Sequence, residues 1–436
     1  MATVEGFYYF AKFNLLLYPT GDLRHTQSMM HWMESLIKLF NEWEMHLLVL
    51  LSFTLQLFLF FTGSLRRHGT SGFLRLSIWA AYLGADLVAV YALGLLSRHE
   101  VITTEGHIPW RTQPLAFFWA PFLLIHLGGQ DTITAFSMED NNLWLRHLLN
   151  QVVQVILAMY VFWKSVGRHN MELLVSGIFV FVAGVIKYGE RTWSLKCGSL
   201  ESSTGHHYIK LPEEINFDAG YSSIVCAALD SMPYIIGIFS VSSLFGRSPL
   251  SEDTLRDPDK MLKVVRLELG IMHDDLYTKT VVLRTRIAII LRCISQISVF
   301  VAFALFYTND KWWYSRGDTA ITYTLFIGGF FLEVCAVLTL MMSPWTWAWL
   351  KVQKCNRLAR LSWFIFSSDI GWPEKKQRWP NLMGQYNYRS WLTGNNDGRP
   401  WTCSQRVMAV VKRLFVDLIG VEKRSEERRV GKECRL

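Results

Sequence analysis

The chain has 436 residues, of which 51% are hydrophobic and 14% aromatic, with 18 Trp and a formal net charge of +8. Long uncharged stretches at that content exceed what an ordinary soluble domain carries, so the bilayer is the expected solvent. Lys and Arg gather beside the apolar segments and toward the C-terminus, which suits an anionic leaflet; no nucleic-acid-binding motif occurs, and the scattered cysteines lack C-x-x-C or zinc-like spacing.

Residues 1–40 read as an N-terminal segment lying along the membrane surface, with an amphipathic run at Met29–Phe40 and no cleavable leader pattern. The first span is expected at His46–Thr62, introduced by Trp43 and closed by Arg66 and Arg67. Phe73–Leu96 is the second, with Arg75 near its start and Asp86 near its middle. Pro114–Gly128 is a short third: its apolar run covers about 22 Å as helix, against a hydrocarbon thickness of about 30 Å. Ser137 and Asp140 have the spacing of a capping box. Leu143–Trp163 and Met171–Lys187 follow as spans four and five. Residues 188–286 read as a cytosolic loop region, in which Tyr221–Gly246 is interrupted by Asp230 and Pro233 and is expected to be amphipathic or re-entrant rather than spanning. Within that region, His273, Asp274 and Asp275 read as a solvated helix face. Ile287–Tyr307 and Ile321–Met342 complete about seven spans.

After Met342, Trp345, Trp347, Trp349 and Trp363 interleave with Lys351, Lys354, Arg357 and Arg360, the mark of a headgroup interface. The plan is thus an all-α, polytopic transmembrane helix bundle at 41–350. A cytosolic segment at 351–422 carries an amphipathic helix at 406–419, and a disordered, adventitious tail occupies 423–436. Basic residues near the span ends place the N-terminus outside or lumenal and the C-terminus in the cytosol.

Several blocks carry a resemblance: NEWEMHLLVLLSFTLQLFLFF at 41–61, WAPFLLIHLGGQDTITAFSMEDNNLWLRH at 119–147, VVRLELGIMHDDLYTK at 264–279 and CNRLARLSWFIFSSDIGWPEK at 355–375. Together they resemble the plant integral-membrane family of domain of unknown function 4220. The resemblance implies a plant membrane protein and brings no activity to any residue. Members commonly continue into domain of unknown function 594, which nothing here resembles, so a truncated chain is expected.

Ionisable groups inside spans are costly and have a partner or a function. Two constellations follow. The first is a polar centre of Asp86, His126, Gln130, Asp131 and Arg75, with Asp86 bonded to His126, Asp131 near Arg75, and Gly128 and Gly129 as a turn or hinge. The second is an ion pair between Arg292 and Glu333. No G-x-S-x-G, H-E-x-x-H or P-loop string is present, and neither an enzymatic activity nor a cofactor is expected. The leading functional reading is a membrane scaffold or regulatory partner, with the lipid bilayer, its anionic cytosolic leaflet and a cytosolic protein as partners. The alternative is a transporter or channel using Asp86, His126 and Glu333, and a seven-span receptor is a lesser one.

Overall fold

The computed structural model describes residues 23–68, 72–105, 115–165, 171–199, 221–239, 256–309 and 314–367. Every regular element among them is helical. The expectations for residues 1–22, for the amphipathic helix at 406–419 and for the tail at 423–436 fall outside this set.

Six helices are long and apolar enough to cross a membrane. They are α1 (Leu23–Gly63), α2 (Gly72–Glu105), α5 (Trp144–Ser165), α6 (Met171–Cys197), α10 (Arg286–Thr308) and α11 (Arg316–Met341). Their outward faces are apolar: along α10, Ile287, Ile290, Ile294, Ile297 and Phe300 are exposed, while Ala288, Ser295, Ser298 and Ala302 are buried against the bundle. In lipid, large apolar residues gain nothing by hiding. Small ones let helix backbones approach, as where Ser176 of α6 donates to the Ala302 carbonyl at 2.7 Å. The chain is an integral membrane protein by these features.

At the centre lies α3 (Ala116–Leu127), with Phe117, Phe118, Trp119, Ala120, Leu123 and Leu124 buried on all sides. Its 12 residues cover about 18 Å, too little to cross. Trp119 donates to Thr322 Oγ1 at 3.1 Å, and its ring lies 5.2 Å from that of His46, which fixes the start of α3 beside the first part of α1's apolar stretch. From Gly129 the chain continues as non-helical backbone along the rest of α1. Gln130 donates to Gln56 at 3.1 Å, Thr132 to the Leu59 carbonyl at 3.2 Å, and Arg66 reaches the carbonyls of Ala135 and Phe136. A short helix plus an extended strip therefore runs the length that a full helix would. The turn α4 (Met138–Asn142) follows, and Asp140 accepts from the amides of Phe136 and Ser137 at its start.

Two stretches differ from expectation. The fifth span does not stop at Lys187: α6 continues to Cys197 with Glu190, Arg191, Thr192 and Ser194 buried. The described part of 188–286 is largely helical, in α7 (Tyr221–Phe239), which lies within the stretch expected to be amphipathic or re-entrant, α8 (Pro258–Tyr277) and α9 (Thr280–Leu283). Asp257 caps α8 through the amides of Asp259 and Lys260, with Pro258 in the first turn, where its missing amide costs nothing. Val225, Leu229 and Met232 of α7 meet Val264, Leu267 and Ile271 of α8 and Trp345, Trp347 and Ala348 of α12 (Pro344–Val352) in a second, separate core. The last element is α13 (Asn356–Ser367), where Ser362 donates to the Met341 carbonyl at 2.8 Å. The 273–275 stretch is likewise no solvated face, since Asp275 is buried and pairs with Arg284 at 2.5 Å, whose guanidinium lies 5.2 Å from the Trp345 ring.

Candidate functional site

The C-terminal end of α3 leaves its last carbonyls without intrahelical partners, and it carries the negative end of the helix dipole. The sequence surrounds it with donors. Arg191 donates to the Leu127 carbonyl at 2.8 Å, Gln56 to that of His126 at 3.0 Å, and Lys279 to that of Gly129 at 3.2 Å. The turn needs both glycines for different reasons. Gly129 has φ +65°, the left-handed region that glycine enters without steric cost. Gly128 is helical, and a Cβ there would stand 2.8 Å from the Lys187 carbonyl carbon, so the position is needed for close packing on α6.

Besides Arg191, six charged side chains from five parts of the described chain sit around that end: Asp131 after α3, Lys187 and Glu190 on α6, Lys279 between α8 and α9, Arg292 on α10 and Glu333 on α11. Arg292 bridges two acids, 2.5 Å from Asp131 and 3.0 Å from Glu333. Lys187 pairs with the other oxygen of Glu333. Lys279, with no exposed surface, lies 3.7 Å from Asp131. Arg292 and Lys279 offset the cost of burying the Asp131 carboxylate. Burial lowers the Lys279 pKa, and Asp131 and Glu190 offset only part of that. The segment bearing Lys279 is stitched in by backbone: Lys279 N–H donates to the Asp131 carbonyl at 3.3 Å and Thr134 N–H to that of Tyr277 at 2.9 Å.

Beside the cluster is a cavity of about 40 Å³ lined by Phe53, His126, Gln130, Lys187, Ser295 and Glu333, among others. A site needs about 10–15 Å³ to hold a water molecule, so this one has the size and polarity for one or more. His126 Nδ1 lies 2.9 Å from the Ser52 hydroxyl, which orients the ring toward the α1–α3 contact.

The structure redistributes the expected partners. Arg292 and Glu333 are in contact. Asp86 and His126 are not paired: Asp86 takes a two-pronged interaction from Arg191 at 2.6 and 2.8 Å, while His126 turns to Ser52. Arg75 is exposed, and Asp131 is met by Arg292 and Lys279 instead. The reason is α6, whose extra turns place Arg191 in the position the sequence reading gave to His126. Lys187, Glu190, Arg191 and Ser194 follow the i, i+3, i+4, i+7 spacing of one helical face, a signal present in the sequence but masked by the fall in hydropathy after Ile186. Ser52 and Gln56, an i, i+4 polar pair inside the first apolar run, were equally readable.

The family described as Domain of unknown function (DUF4220) matches residues 79–391. The chain belongs to the DUF4220 family. The DUF4220 match contains α3 and all six charged residues of the cluster but leaves out Ser52 and Gln56, the α1 contacts of His126 and of Gln130. No curated protein and no solved structure gives a match.

Proposed function

We propose that this DUF4220 protein is a seven-crossing membrane transporter or channel, N-terminus outside or lumenal and C-terminus cytosolic, whose translocation site is the charged cluster and cavity at the end of α3. In this reading α3 and the strip at 129–136 make the third crossing together. The observation that carries it is the broken crossing itself. Irregular backbone at membrane depth is tolerated only where protein buries it or where it lines a cavity, and half-helix ends inside bundles mark ion and solute sites in transporters. Ionisable side chains are rare in spanning segments because they are costly there. Lys187, Glu190, Arg292 and Glu333 converge on that break. The Arg191–Asp86 pair is the strut that holds it, with Asp86 outside the cavity lining.

The test is flux. Full-length protein in sealed liposomes is challenged with gradients of protons, alkali cations, chloride and small organic solutes. The expected result is protein-dependent movement of at least one species, lowered about tenfold or more by Lys187→Gln, a loss of about 1.4 kcal/mol of barrier stabilisation. Wild-type protein with an intact thermal melt and no flux of any of them would overturn the reading.

The scaffold reading retains one supporting observation. The core of α7, α8 and α12 stands apart from the spanning helices, and Lys351, Lys354, Arg357 and Arg360 beside it suit an anionic cytosolic leaflet. A flux-silent protein whose soluble-side core holds a defined partner would favour it.

A further inference from the structure

Glu190 is 2% exposed, and neither of its carboxylate oxygens has a hydrogen-bond partner. The other two acids of the cluster are in direct contact with cations, Asp131 with Arg292 and Glu333 with Arg292 and Lys187. Glu190 instead lies in the field of cations that do not bond it: Lys279 at the α8–α9 junction, Arg292 on α10 and Lys187 on its own helix, with Asp131 opposing. His126 of α3 stands on the Lys187 flank, and His147 of α5 on the flank of Arg191 and Asp86. A buried carboxylate without a donor is poorly solvated as an anion, while three nearby cations favour that anion, so two strong and opposed effects act on one group.

We propose that Glu190 is a proton-binding site, the one carboxyl of the cluster that changes protonation while the others remain ion-paired. With Glu190 ionised, the charges of Asp131, Glu190 and Glu333 balance those of Lys187, Lys279 and Arg292. On protonation a hydronium ion gives its proton to one Glu190 oxygen, an O–H bond forms, a water molecule is left, and the cluster gains one positive charge. Lys279, whose ammonium holds the Gly129 carbonyl, then keeps Asp131 as a counter-charge and loses that of Glu190. Proton uptake at Glu190 thus acts on the contact that joins the 277–279 segment to the break in α3. Its role as a coupling proton rests on the transport reading above; the proton site itself does not.

Infrared difference spectra of the full-length protein in liposomes, titrated from mildly alkaline to mildly acidic pH, test this. A protonated-carboxyl stretching band is expected to appear on acidification, to be absent in Glu190→Gln, and to persist in Glu333→Gln. Where Glu190→Gln fails to fold, Glu190→Asp decides through a shift in the band's frequency and midpoint. No titrating carboxyl band in wild type, or a band unchanged by both Glu190 substitutions, overturns the proposal. A band that behaves as expected in a protein without flux sinks the transport reading and leaves the proton site standing.

Discussion

Arg191 closes the open end of α3 with one guanidinium that serves the Leu127 carbonyl and both oxygens of Asp86. Removing it strands a carboxylate and a carbonyl together, whereas Asp86→Asn leaves an amide oxygen that still accepts. Arg191→Met is therefore expected to cost about 3 to 5 kcal/mol and Asp86→Asn less, with the double variant recovering about 1 kcal/mol or more relative to additivity. Denaturant unfolding in bicelles measures all three, and additive losses would show that the two residues do not act as a pair. At this scale the sequence is legible only in part. Asp86, Arg292 and Glu333 stand out because each is an isolated charge in an apolar run, and the depths of Arg292 and Glu333 along their helices leave a gap that long side chains close. The partner of Asp86 was not legible by the same means. Hydropathy treats Arg191 as the start of a soluble region, and only the helical face shared with Lys187 and Glu190 shows that the span goes on.

Among the elements, α3 is the one whose neighbours make it possible. Its length was readable from the short apolar run, but the path after it was not, since nothing local says that a non-helical strip will continue along α1. That strip exists because Gln56, the Leu59 carbonyl, Arg66 and the 277–279 backbone satisfy its polar groups. The two glycines at the joint separate packing from turn geometry. Gly128→Ala drives a Cβ into the α6 backbone, which has no flexible end to give way, and is expected to destabilise by about 1 to 3 kcal/mol. Gly129→Asn is expected to be milder, because asparagine tolerates the left-handed region and the nearest atoms there are side-chain atoms of Arg191 at 3.5 Å or more. Thermal melts of the two variants check the order; Gly129→Asn being the more damaging would contradict the assignment of Gly128 to packing. Helix faces follow a similar logic. The exposed isoleucines of α10 and its buried serines and alanines invert the soluble pattern, so periodicity gives the faces while the solvent decides which one turns inward.

For the whole molecule, the all-helical, membrane-crossing plan was legible: six of the expected spans are helices long and apolar enough to cross, and the third is a short helix. Lys187, Arg191 and Lys279, basic residues near the ends of the apolar segments, are inside the protein or only slightly exposed. The cations left to set orientation are those such as Arg286, Lys351 and Arg360, at the end of the bundle that carries the second core. The region between α6 and α10 was the hardest to read, because an amphipathic helix such as α8 looks soluble in composition while Thr278, Lys279 and Val282 beyond its end are buried in the bundle. That insertion ties the second core to the charged cluster, so the two halves of the molecule meet at the break in α3. We propose that this meeting point is a water-accessible site within the membrane. The most direct measurement is the reactivity of Gln296→Cys, a position lining the cavity, in a variant with its native cysteines replaced and inserted into sealed vesicles. A small membrane-impermeant thiol reagent is expected to modify it from one side of the membrane; a cysteine that stays unmodified from both sides would show that water does not reach the site.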